Sequence, residues 1–216
     1  MSSSAINEIP ANKHVLVCGM TGTGKSFLCE NYLRGYDYVI KLDTKDETDE
    51  RLREGLSPWE GLEEGKDFTI CRHLDDLDYI DTKKIIYVPA FEEQNLETFN
   101  EFFKWVFLRQ NTILWIDELM SIGTVQTYPI ELKRLMIMGR SKNIGVWACT
   151  QRPSGIPSCV PANSTYFFVF DMALPQDRKK LVDTTGMEEM YEMPTGYNFW
   201  YYKMGDRRCV KAILVT

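Results

Sequence analysis

The sequence predicts an α/β fold of three layers: helices on both faces of a mostly parallel central sheet, with a β-hairpin at one edge. Two observations predict it. Strand-length apolar runs alternate with segments of helical spacing along most of the 216 residues, and near-continuous apolar strands suit a parallel sheet buried on both faces. The first of those runs, Val15-Leu16-Val17-Cys18, leads into Gly19-Met20-Thr21-Gly22-Thr23-Gly24-Lys25-Ser26 and then into Phe27 to Leu33 at helical spacing. That is the strand–loop–helix setting of a phosphate-binding loop, G-x-x-x-x-G-K-S.

Taken in order, strands are expected over residues 14–18, 38–42, 68–71, 84–88, 112–116, 145–150 and 166–170, and helices over 26–33, 96–109, 130–140 and 176–182. In the second of these helices Leu96, Phe99, Phe103, Val106 and Phe107 share one face, the pattern of a core stripe. Residues 46–67 interrupt the alternation with acids punctuated by Gly55, Pro58, Gly61 and Gly65, and read as an insertion with one short helix over 47–54. Near the end, β-rich stretches over 198–202 and 209–215 flank Gly205-Asp206, a hairpin signal. Residues 1–12 are expected to form a flexible tail and residues 13–216 a single domain.

Composition narrows the function classes. With 44% hydrophobic residues the chain has the makings of a sizeable core. The net charge of −6 argues against a generally basic nucleic-acid-binding surface, though not against a local one. No apolar run reaches bilayer length, and the polar start lacks a secretory signal pattern, so no stable membrane insertion and a cytoplasmic location are expected. The six cysteines include no C-x-x-C pair, and neither they nor His14 and His73 have zinc-ligand spacing; buried reduced thiols are expected.

The phosphate loop explains its own residue types. Glycines let the backbone fold tightly so that its N–H groups turn toward an anion, and the helix starting near Lys25 adds the positive end of its dipole. Gly19, Met20, Thr21, Gly22, Thr23, Gly24, Lys25, Ser26 and Phe27 are therefore the candidate ATP-binding stretch, with Lys25 on the β- and γ-phosphates and Ser26 on Mg²⁺. Ile113-Leu114-Trp115-Ile116-Asp117-Glu118 reads as a buried strand with two carboxylates at its C-terminal end, where an open α/β sheet carries its ligand crevice. Such a pair alone reads equally as a helix cap. Beside a phosphate loop, Asp117 is expected to help hold Mg²⁺, partly through water, and Glu118 to act as general base on the attacking water.

Two further residues follow from position. Gln151, at the tip of the 145–150 strand, offers a donor and an acceptor to the γ-phosphate and the water; its plainer reading is a loop residue before the Arg152-Pro153 step. Arg140 reads equally as a cation at a helix C-terminus and as an arginine finger delivered to a neighbouring subunit.

Together these segments resemble the FtsK–HerA superfamily of DNA-pumping ATPases. Beyond the phosphate loop and the Asp117-Glu118 strand, the resemblance lies in Leu42-Asp43-Thr44-Lys45, with Thr44 where the family has proline. It extends to Gly139-Arg140 before Asn143-Ile144-Gly145, to Thr150-Gln151-Arg152-Pro153, to Pro161-Ala162-Asn163-Ser164, and to Met193-Pro194-Thr195-Gly196. It covers most of the chain apart from the tail and the insertion. The resemblance implies a RecA-like core. Lys25, Ser26, Asp117, Glu118 and Gln151 take the roles above, and Arg140 is the trans finger, with Arg134 and Arg152 as alternatives. The chain looks like the motor core alone, similar to genome-packaging ATPases of tailless, often membrane-containing, icosahedral DNA viruses. The partners implied are double-stranded DNA without sequence specificity, copies of itself in a hexameric or pentameric ring, and capsid vertex or portal proteins. The implied location is the host cytoplasm or a packaging vertex. The segment Ser121 to Tyr128 is a candidate pore loop, or else an ordinary surface turn. Competing readings are a cellular or plasmid translocase, a small-molecule phosphotransferase and a non-catalytic nucleotide switch.

Overall fold

A computed structural model describes residues 9–214. The strands are β1 Val15–Cys18, β2 Val39–Leu42, β3 Phe68–Cys71, β4 Lys84–Tyr87, β5 Ile113–Ile116, β6 Gly145–Thr150, β7 Tyr166–Val169, β8 Asn198–Lys203 and β9 Val210–Ile213. They form one open sheet in the order β3-β4-β2-β5-β6-β1-β7-β8-β9. β3 to β7 in that order pair in parallel, and β8 and β9 add to β7 in antiparallel sense as the expected edge hairpin. Val215, in the last part of the expected hairpin, lies outside the described residues.

The α-helices are α1 Lys25–Arg34, α2 Glu47–Arg53, α3 Leu96–Arg109, α4 Ile130–Met138, α5 Cys159–Asn163 and α6 Pro175–Thr185. Alternation along each strand sends side chains to two cores. Val15, Val17, Trp115, Trp147 and Cys149 meet Leu28, Cys29 and Leu33 of α1 on one face. Leu16, Leu114, Ile116, Val146 and Ala148 meet α3, α4 and α6 on the other. The central strands β1, β2, β4, β5, β6 and β7 are therefore buried on both faces, which is why they carry so few polar residues, whereas β9 at the edge is largely exposed.

Several boundaries differ from expectation for local reasons. In α3 the buried stripe is Phe99, Phe102, Phe103, Val106 and Phe107, while Leu96 is 43% exposed. Leu96 is the first residue after the cap Asn95, whose side chain accepts from Thr98 N at 3.0 Å, so it sits at the mouth of the helix rather than over the sheet. The helix expected over 130–140 stops at Met138 and tightens into a 3-10 turn, Gly139–Lys142, before Asn143 at φ 56° reverses the chain into β6. α6 is longer than expected, starting on Pro175 and ending at Thr185, where Gly186 with φ 75° caps it. α5 was not anticipated. In the expected tail, Ile9 is buried and residues 10–13 make a turn against the N-terminal edge of β6, so residues 9–12 pack with the body; residues 1–8 lie outside the described part. Among the described residues no helix is long and apolar enough to cross a membrane.

Candidate nucleotide site

Four neighbouring strands, β2-β5-β6-β1, end on the same side of the sheet. The chain leaving each of them carries one piece of the site. Gly19 to Ser26 follows β1, Asp43 to Lys45 follows β2, Asp117 and Glu118 follow β5, and Gln151 follows β6. Parallel pairing alone puts these four exits together, because equivalent strand ends lie side by side.

The loop after β1 is stitched to its neighbours: Gly19 N donates to Thr150 O at 3.1 Å and Met20 N to Asp171 O at 2.9 Å. Two glycines answer geometric demands. Gly24, the residue before α1, has φ 101°, and a Cβ there would lie 2.4 Å from Leu214 Cδ1. A Cβ on Gly19 would lie 2.6 Å from Phe170 Cβ. Lys25 arches back over the loop, donating to Gly19 O at 2.8 Å and Met20 O at 2.9 Å. Thr23 Oγ1 donates to Met20 O at 2.8 Å. Burial, aided by the Lys45 ammonium, holds the Lys25 pKa below the usual lysine range, against the pull of Glu118 and Asp117.

Opposite the loop, Ser26 Oγ donates to Asp117 Oδ1 at 3.3 Å. Asp117 Oδ2 faces Lys45 Nζ at 2.9 Å as an ion pair. Glu118 is 7% exposed; its Oε1 accepts from Met120 N at 3.4 Å, and its Oε2 is buried without a hydrogen bond. Thr44 and Ser121 hydroxyls meet at 2.5 Å, and Ser121 Oγ donates to Glu118 O, tying the loop after β2 to the turn that carries Glu118.

These elements border a cleft of about 550 Å³ lined by Thr21, Gly22, Gly24, Lys25, Ser26 and Phe27 on one side and Lys45, Glu47, Glu50, Gln151, Tyr197 and Leu214 on the others. Volume and lining fit a nucleotide: backbone and cations at one end, an aromatic ring and an aliphatic side chain near the loop. Ser26 beside the buried Asp117, whose Oδ2 meets only the Lys45 ammonium, fits Mg²⁺ held by few protein oxygens and completed by phosphate and water. The cysteine pair beneath the loop, Cys29 and Cys149 with Sγ atoms 3.5 Å apart, is fully buried, and burial raises the Cys29 pKa far above the usual range.

Lys25, Ser26, Asp117, Glu118 and Gln151 are thus gathered at one end of the sheet. Arg140 is not among them. It is exposed in the turn before β6, on the edge where His14 and residues 11–13 pack. The cleft is at the far end of the strands. Arg134 is paired with Glu131 and stacked on the Phe107 ring. Arg152 Nε donates to the buried Asp177 at 2.8 Å, and Asp177 also accepts from Ser154 N and Oγ, so Arg152 helps pin the loop after Gln151. Sequence reasoning did not place Lys45, Glu47, Glu50 or Tyr197 in the site. The Asp43-Thr44-Lys45 stretch after β2 was the available signal for the first.

No protein-family model matches the chain, and no curated protein sequence matches it. Solved structures do. The genome packaging NTPase B204 from Sulfolobus turreted icosahedral virus 2, in complex with ATP-gammaS, is 15% identical at TM-score 0.76, with 96% of this chain and 100% of that one covered. B204, the DNA-packaging ATPase from Sulfolobus turreted icosahedral virus, is 18% identical at TM-score 0.74, over 96% and 100% of the two chains. VirB4 of Thermoanaerobacter pseudethanolicus is 12% identical at TM-score 0.64, over 94% and 89%. At these identities the likeness shows the fold alone: the chain shares the open, mostly parallel α/β sheet flanked by helices that these structures have.

Proposed function

We propose that this chain is an ATP-hydrolysing motor that drives double-stranded DNA, without regard to sequence, into a preformed viral capsid. The observation that carries the ATPase reading is the gathering of Lys25, Ser26, Asp117, Glu118 and Gln151 past the ends of three adjacent strands, β1, β6 and β5, with Lys25, Ser26 and Gln151 lining the cleft and Asp117 buried against Ser26. Lys25 exchanges its two loop carbonyls for β- and γ-phosphate oxygens. Ser26 and Asp117 hold Mg²⁺, which supplies charge neutralisation across the phosphates. Glu118, through the unpartnered Oε2, takes the proton of the attacking water. Gln151 orients that water from the tip of β6 and registers the γ-phosphate.

The step from ATPase to DNA motor is supported by the fold shared with packaging NTPases and by the position of Arg140. An exposed arginine at the end of the strands opposite its own cleft suits delivery to a neighbour's γ-phosphate, so a ring of copies follows from the same reading. Loss of the γ-phosphate then loosens the subunit interface, and the Ser121 to Tyr128 segment, joined through Ser121 to Glu118, carries the movement to DNA. Capsid vertex or portal proteins complete the assembly in the host cytoplasm or at the packaging vertex.

Phosphate release by the full chain, with and without duplex DNA, measured alongside solution mass, tests the reading. Low basal turnover that rises with DNA and with assembly is expected. Turnover in an assembled ring that ignores DNA contradicts translocation, and release that requires a small-molecule acceptor contradicts hydrolysis.

A further inference from the structure

Lys45 is built into position. Asp43, fully buried at the end of β2, accepts from Lys45 N at 3.0 Å with Oδ1 and from Thr48 N at 2.7 Å with Oδ2. The same carboxylate therefore caps the start of α2 and folds the intervening turn, in which Asp46 has φ 64°. That turn projects Lys45 into the cleft, where it shares the wall with Lys25, Ser26 and Gln151. Its Nζ stands 2.9 Å from Asp117 Oδ2, and its side chain keeps 34% exposure. Asp117 is only 1% exposed, so no bulk water competes for its second oxygen. An ammonium on a carboxylate that must also serve a divalent cation is in direct electrostatic competition with that cation. The turn fixes the Lys45 backbone, but the long side chain leaves its head free to turn. The anion offered to it inside the same cleft is the terminal phosphoryl group of a bound triphosphate.

Resting on the nucleotide site proposed above, we infer that Lys45 is its triphosphate sensor: it neutralises Asp117 until a magnesium–triphosphate binds, then moves its ammonium from Asp117 to the γ-phosphate. A diphosphate lacks the oxygen that would receive it, so Lys45 returns to Asp117 after hydrolysis. The Thr44–Ser121–Glu118 hydrogen bonds link this movement to the turn carrying the general base.

The test compares binding of ATPγS and ADP, each with Mg²⁺, to the full-length wild type, Lys45→Ala and Lys45→Arg by calorimetry. Lys45→Ala is expected to weaken ATPγS binding by roughly tenfold or more, the scale of one charge-assisted hydrogen bond, with ADP affinity undiminished. Lys45→Arg is expected to recover most of the ATPγS preference. Lys45→Gln, which keeps side-chain bulk, stands in if the alanine variant does not fold. An unchanged ratio of the two affinities, or an equal loss of both, overturns the sensor while leaving the nucleotide site standing. Wild-type protein that binds neither nucleotide overturns both.

Discussion

Ser26 Oγ lies 3.3 Å from Asp117 Oδ1, although 91 positions separate them in sequence. Parallel pairing of β1 and β5 with β6 sets their ends on either side of β6, and the phosphate loop and first turn of α1 then carry Ser26 across to Asp117. Everything proposed for the chemistry depends on that register, and each consequence below is measurable.

The base comes first. Glu118→Gln preserves shape and removes the proton acceptor, so turnover should fall by roughly 10²- to 10⁴-fold while Mg–ATP affinity holds. Single-turnover hydrolysis and calorimetric binding read the two quantities separately. Parallel loss of both would make Glu118 a structural cap for the 3-10 turn Leu119–Ser121 and nothing more.

Among the arginines, geometry separates the roles. Arg140→Ala should leave nucleotide affinity intact and lower turnover of the assembled protein by about 10³-fold or more. Mixing it with Lys25→Ala should restore part of the activity, because one variant supplies intact clefts and the other intact fingers. Arg152→Ala should instead lower stability by about 1–3 kcal/mol in denaturant unfolding, since it strips a charged partner from the buried Asp177.

His14 sets an acid limit on stability. It is fully buried, its Nδ1 accepts from Val146 N at 3.0 Å, and burial, with help from Arg140, lowers its pKa from 6.5 to about 4. Between those values the unfolded chain binds more protons than the folded one, so stability falls as pH drops from 6.5 toward 4 and is retained above 6.5. The loss attributable to this residue is of order 3 kcal/mol. Urea midpoints across that range should flatten in His14→Asn, whose amide oxygen keeps the acceptor without the titration.

The corrected stripe of α3 makes a stability contrast. Phe102 is fully buried between Tyr87 and Phe103, so Phe102→Ala should cost about 3–5 kcal/mol. Leu96→Ala, at the exposed first turn, should stay within about 1 kcal/mol. Equal losses in thermal unfolding would restore the original assignment of the face.

What the sequence made legible was periodic or punctuated. The seven apolar strands, the phosphate loop and the edge hairpin all announce themselves through local pattern, and their alternation implies the parallel sheet. Phe102 was missed because a strict three-and-four count from Leu96 excludes it, whereas the sheet surface is broad enough to bury a wider arc. α5 was missed because Cys159–Asn163 is short and has Pro161 in its middle. Pairings across the sheet left no local trace at all. Lys45 on Asp117, Arg152 on Asp177, and Tyr197 and Leu214 beside the phosphate loop all arise from strand order, which spacing along the chain does not encode.

The most direct measurement is a crystal structure of Glu118→Gln grown with Mg²⁺ and ATP. The account predicts the triphosphate wrapped by Gly19 to Ser26, with Lys25 on its β- and γ-phosphates and Mg²⁺ against Ser26 on the Asp117 side. It also predicts a water held between residue 118 and the terminal phosphorus. Nucleotide bound away from Lys25, or residue 118 turned away with no water in reach of the γ-phosphate, would contradict it.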